Sequence, residues 1–206
     1  LMSDTYCPLP WLSVHSWCGD VTPCCLWEDS GVVANNTTDA LHSKLFQDVR
    51  KSMLENKKLP GCTQCYQIEE AGKKSRRQES IEQYGHPLEI KLKSIDIGFD
   101  NICNLKCRGC QSAASHLWHD DEIKIYGETV HPTKYWTYLV SADVRNLEYI
   151  HVAGGEPLLS PRFDKFSHEI LDSNNTSLRL SFDTNGTILP KNNVLELINV
   201  VDTLRV

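Results

Sequence analysis

Hydrophobic positions change their period part-way along this chain. Leu41, Leu45, Val49 and Met53 recur every four residues behind Thr38-Asp39, a polar pair suited to a helix start. They predict one helix, which Pro60-Gly61 ends. A second helix is expected from about Thr63 to Tyr84, carrying the basic run Lys73-Lys74-Ser75-Arg76-Arg77. That run reads first as a solvated face and otherwise as a contact for an acidic substrate, a leader peptide or an electron donor. Gly85-His86-Pro87 breaks that helix. Further on, Ile95, Ile97 and Phe99 alternate as in a strand. A helix over 112–126 and a helical stretch over 135–141 should follow, then a strand over 147–152. A helix over 161–171, a strand over 178–183, a helix over 192–200 and the opening of a strand at 204–206 complete the series. Residues 1–34 sustain no period; short strands are expected around Trp11–His15 and Gly31–Ala34.

Strands that alternate with helices imply βαβ units and a parallel sheet, so the second part reads as α/β. The break at residues 85–87 divides the chain into an expected first domain, 1–86, and a second, 87–206. Leu1 and the final segment Thr203–Val206, which stops in mid-strand, read as cut ends of a longer protein.

The 206 residues are 40% hydrophobic and 23% charged, the balance of a globular protein. A net charge of −6 gives no reason to expect nucleic acid as a partner. No apolar run approaches a membrane span, and residues 1–10 lack the features of a secretory signal. Nine cysteines, an odd number with two C-x-x-C spacings, argue against a disulfide framework. They point to metal binding in a reducing, cytoplasmic setting. The sequons at Asn36, Asn175 and Asn185 carry no meaning there.

Cys103, Cys107 and Cys110 stand in a C-x3-C-x2-C run behind the strand at Ile95–Phe99. Three close thiolates can hold three irons of a [4Fe–4S] cluster and leave one iron open to a ligand, where a structural cluster would take four cysteines. The alternative is a zinc knuckle, with His116 or His119 close enough to be considered as a fourth ligand, or structural cysteines. Gly154-Gly155-Glu156-Pro157 follows the next strand, and Asp183-Thr184-Asn185-Gly186 the one after. In a parallel sheet ligands collect at these carboxyl ends. The pair of motifs resembles the radical S-adenosylmethionine (SAM) superfamily.

That resemblance implies a partial parallel (β/α) barrel, cut short at its C-terminus, with a cluster on Cys103, Cys107 and Cys110. It implies reductive cleavage of SAM to a 5′-deoxyadenosyl radical and hydrogen abstraction from a substrate C–H bond. Gly154, Gly155, Glu156 and Pro157 would hold the SAM amino group, and Thr184 and Asn185 would add polar contacts. The position before the third cysteine is commonly bulky in the family and packs on adenine; here it is Gly109. Phe99 or a residue beyond the chain would take its place.

Cys7, Cys18, Cys24, Cys25, Cys62 and Cys65 lie upstream. Their layout resembles the auxiliary-cluster modules (SPASM and twitch domains) of radical SAM enzymes. Cys7-Pro8-Leu9-Pro10-Trp11, Pro23-Cys24-Cys25 and Glu69-Glu70-x-Gly72-x2-Ser75-x-Arg77 fit the N-terminal twitch type. The resemblance implies a small Cys-rich α+β module with a second [4Fe–4S] cluster on Cys7, Cys24, Cys62 and Cys65. Cys25 is an alternative to Cys24, Cys18 a buried small residue, and zinc an alternative to iron. The substrate would be a peptide, a protein side chain or a small metabolite, and the electron donor a flavodoxin or ferredoxin. Two other readings remain: an enzyme resembling carboxy-deazaguanine synthase, against which the Cys7–Cys65 module argues, and a non-catalytic iron–sulfur or zinc protein.

Overall fold

The computed structural model describes residues 3–17, 19–34, 36–128, 144–199 and 203–205. Cys18 and the helical stretch expected over 135–141 lie outside the described residues. Two compact units emerge, and the chain passes from one to the other at Ser94/Ile95; residues 16–17 and 19 also fall in the second.

The first unit begins with the single turn α1 (Leu9–Leu12), started by Pro10, and the strands β1 (Ser13–Trp17) and β2 (Asp20–Thr22). β1 thus starts two residues later than the apolar run suggests. Val32 closes a bridge onto Val21. The apolar stripe expected as one helix forms two, α2 (Thr37–Leu41) and α3 (Lys44–Leu54). Ser43 interrupts them because its hydroxyl caps the Phe46 N–H and begins a new helix. The second expected helix also divides, into α4 (Thr63–Glu70) and α5 (Arg76–Tyr84). Gly72 turns at φ +70°, and Ser75 and Gln78 form a reciprocal capping box that starts α5.

The core of this unit contains Tyr6, Leu9, Trp11, Val49 and Met53, and Cys7 belongs to it. Cys24, Cys62 and Trp27 pack against the same cluster. Arg50 is buried, donating to the Pro10 and Leu41 carbonyls at 2.9 Å each, which ties α3 to the N-terminal segment.

In the second unit β3 (Ser94–Gly98), β4 (Tyr149–Ala153), β5 (Arg179–Phe182) and β6 (Thr203–Arg205) lie side by side in that order. β4 and β5 pair in parallel, with His151 opposite Ser181, and β5 and β6 do the same. Helix α7 (Pro161–Ser173) connects β4 to β5, and α8 (Asn192–Glu196) connects β5 to β6. These are the α/β units the alternation predicts, and they form a partial β/α fold.

Alternate positions on the strands separate two faces. Ile150, Val152, Leu180 and Phe182 are buried, on the same side as the aromatic residues of α7. Phe163 stands 5.5 Å from Phe182, ring to ring. Tyr149, His151 and Ala153 occupy the other face and are half-buried. Helix α6 (His119–Tyr126) is shorter than expected. Residues 112–115 do not join it: the Ser112 carbonyl accepts from Asn101 and its N–H donates back to Glu122 of α6, while the Ser115 hydroxyl donates to the Leu105 carbonyl in the cysteine loop.

Candidate functional site

The cysteine loop leaves the end of β3 and is held in place from several directions. Asp100 and Asn101 are buried behind it. The Asp100 carboxylate accepts the Ile102 N–H and the Ser160 hydroxyl. Asn101 donates to the Ser112 carbonyl at 2.7 Å, and the Ser112 N–H donates to the buried Glu122 carboxylate at 2.8 Å. Ser115 reaches the Leu105 carbonyl, and the Trp118 indole donates to that of Cys107. Sequence pattern singled out none of these. The Asp-Asn pair directly behind a strand was the available signal, since such residues hydrogen-bond nearby backbone.

The Gly154–Pro157 run is bonded to the same loop. Gly155 N–H donates to the Asp100 carbonyl at 3.0 Å and Glu156 N–H to that of Ile102 at 2.7 Å. A Cβ on Gly155 would lie 2.1 Å from the Ile102 oxygen, so only glycine fits. Gly154, at φ +125°, takes a backbone conformation that side chains rarely adopt.

Glu156 is 1% exposed, and its carboxylate accepts three donors: Leu158 N–H, the Thr184 hydroxyl and Asn185 N–H. Thr184 and Asn185 therefore meet the Gly-Gly-Glu-Pro run through Glu156. The Asn185 side chain continues to Asn104 Oδ1 at 3.0 Å and stands 3.8 Å from Cys103 Sγ. Three loops that follow three strands thus converge as the sequence suggests.

Phe99 is a correction. It is 3% exposed, with its ring 5.4 Å from that of Phe166 and 6.2 Å from that of Phe163. It packs in the aromatic core on the helix side and is not available to stack on a nucleoside. Gly109 has open space around it: a Cβ there meets nothing within 4 Å.

On the half-buried strand face, His151 Nδ1 lies 3.0 Å from Asp96 and Nε2 lies 3.4 Å from Asp183. The Asp96 hydrogen bond raises the His151 pKa, burial opposes it, and the charges of Asp96 and Asp183 reinforce it. This carboxylate–histidine–carboxylate string was not foreseen; it shows only once the register sets Asp96, His151 and Asp183 on adjacent strands.

The family model of the Radical SAM superfamily matches residues 97–205. The chain belongs to the radical SAM superfamily. No curated protein and no solved structure matches it. The chain is accordingly an enzyme of that superfamily, and membership implies a [4Fe–4S] cluster, SAM and an electron donor.

The loop residues fit such a cluster. Partial burial, and after it the neighbouring Cys107 and Cys103 thiols, raises the Cys110 pKa. Cys103 and Cys110 are half-buried and Cys107 is exposed. Among the described residues no three His, Cys, Asp or Glu side chains close around one metal-ion position. The histidines weighed as zinc ligands make other contacts: His116 Nδ1 with Cys103 N–H and the Asn101 carbonyl, His119 Nε2 with the Asn101 amide.

The upstream cysteines gather in the first unit. Cys7, Cys24, Cys62 and Cys65, from three separate segments, line one small pocket that is partly open to solvent. Cys25 is exposed and does not line it. Trp27 forms a wall, flat against Gly61, where a Cβ would collide with its ring at 2.5 Å. Burial pushes the Cys7 thiol up to about 12 and, with Cys65 nearby, the Cys62 thiol up to about 11; Cys24 is also raised. Thiols so close together and so poorly hydrated ionise readily only around a cationic centre. Among the described residues no helix is long and apolar enough to cross a membrane.

Proposed function

We propose that this chain carries two iron–sulfur sites: a SAM-binding cluster on Cys103, Cys107 and Cys110, and an auxiliary [4Fe–4S] cluster on Cys7, Cys24, Cys62 and Cys65. The observation that carries the reading is the gathering of four distant thiols around one cavity in a unit separate from the three-cysteine loop. The expected domains, 1–86 and 87–206, assign one site to each.

The SAM-binding cluster supplies, when bound, the electron that cleaves SAM to a 5′-deoxyadenosyl radical. The chain's own residues prepare for this. Gly154 and Gly155 bring backbone close to the cysteine loop, and Pro157 begins the short turn after Glu156. Glu156 fixes the Thr184–Asn185 loop, which places the Asn185 amide beside Cys103. Gly154, Gly155, Glu156, Pro157, Thr184 and Asn185 thereby form the cradle for SAM. The substrate class is a peptide, a protein side chain or a small metabolite. A flavodoxin or ferredoxin in the cytoplasm is the electron donor.

The test is anaerobic reconstitution followed by SAM and a strong reductant, with 5′-deoxyadenosine measured. The wild-type protein should form it and the Cys103/Cys107/Cys110→Ala variant should not. Equal formation by both would remove this reading.

A further inference from the structure

Arg77 is the residue of the basic run that departs furthest from a solvated helix face. Its side chain is 11% exposed and lines the thiol cavity. Its donors are engaged all round the guanidinium. Nε donates to Glu69 at 2.9 Å and Nη2 to the other oxygen of the same carboxylate, a two-pronged pairing. Nη1 donates to the carbonyls of Asp4 at 2.8 Å and Tyr6 at 3.0 Å, the latter directly before Cys7. Ser75, which caps the helix carrying Arg77, also donates to Glu69. The guanidinium lies 6.0 Å from the centre of the Tyr66 ring, and the Tyr66 hydroxyl sits beside the Cys62 thiol.

We propose that Arg77 is a fixed cation of the thiol cavity that positions Cys7 and raises the reduction potential of the auxiliary cluster. The inference rests on the auxiliary cluster proposed above. The physical argument concerns charge. A cluster held by four thiolates is already negative, and accepting one electron from the flavodoxin- or ferredoxin-type donor makes it more so. A nearby positive charge that water does not screen stabilises the reduced form more than the oxidised one. Glu69 holds the guanidinium in place and partly cancels its field.

The two charges therefore predict opposite effects, which a purely structural role would not. The experiment uses the full chain with Cys103, Cys107 and Cys110 replaced by Ala, so that iron remains only at the auxiliary site. Midpoint potentials are read by EPR during a redox titration. Arg77→Gln should move the midpoint to more negative potential, Glu69→Gln to less negative potential, and Arg77→Lys should stay nearer the parent than Arg77→Gln. If Arg77→Gln fails to fold or to hold iron, Glu69→Gln and Arg77→Lys decide the question: a less negative midpoint for Glu69→Gln with Arg77→Lys near the parent supports the role, and an unmoved or more negative midpoint for Glu69→Gln overturns it. A full iron content with unmoved midpoints, or shifts of the same sign for Arg77→Gln and Glu69→Gln, would overturn the role of Arg77 alone. A parent without iron would overturn the auxiliary cluster, and Arg77's role with it.

Discussion

The two groups of cysteines sit in opposite surroundings. Cys7, Cys24, Cys62 and Cys65 come from separate segments and meet in a walled cavity that is part of their unit's core. Cys103, Cys107 and Cys110 come from one short loop, and Cys107 is exposed. The first arrangement brings four thiols to one pocket, the number that a fully ligated cluster would take. The second leaves one side open, and the GGEP and Thr184–Asn185 loops border it. The difference teaches that a staple and a reaction site need contrary things from thiolates: closure in one, an open coordination position in the other.

The contrast can be broken most sharply by single cysteine exchanges. Cys7→Ser should remove about half of the iron that two clusters bring, while Cys25→Ser should remove none; iron analysis after anaerobic reconstitution reads both. Equal losses would mean that the cavity does not choose its ligands.

Gly155→Ala should be the next largest effect. The added methyl would meet the Ile102 backbone, which cannot yield as a side chain tip does. A loss of about 3 kcal/mol in a denaturant titration is expected, whereas Gly109→Ala, with open space around it, should change stability by less than about 0.5 kcal/mol.

Glu156→Gln should cost about 2 kcal/mol, because an amide NH2 in place of one oxygen faces a donor instead of accepting from it. Thermal unfolding of the apo protein reads this, and SAM affinity should fall with it.

The smallest effect is a pH slope from His151. Its folded-state pKa is raised by the Asp96 hydrogen bond, against burial, so the stability it contributes is complete below its unfolded value of about 6.5. That contribution is lost as pH rises through the elevated folded value. Denaturation midpoints should therefore fall across that window, and Asp96→Asn should flatten the slope.

Much of the second unit was legible in sequence because period and position both speak there. Ile95, Ile97 and Phe99 gave β3, the apolar runs gave β4 and β5, and α7 runs from Pro161 as its pattern predicts. The resemblance offered Phe99 as the residue that packs on adenine, but alternation alone does not say which face of a sheet carries the helices. The first unit was harder. Its two long predicted helices each contain a serine that caps a new helix, Ser43 and Ser75. A stripe of apolar residues continues through such a break without marking it. The fixing of the cysteine loop was only partly legible: the Asp100-Asn101 pair was a local signal, but the bonds of Ser160 to Asp100, of Asn101 to Ser112 and of Ser112 to Glu122 join residues brought together by the fold. Arg77 looked like part of a charged face because Asp4 and Tyr6 are distant in sequence and the turn that brings Glu69 back to it breaks the expected helix.

The most direct test of the two-site account is iron and acid-labile sulfide per chain in anaerobically reconstituted protein, with and without the Cys103/Cys107/Cys110→Ala exchange. The account predicts about 8 irons falling to about 4. Equal iron in both proteins would contradict it.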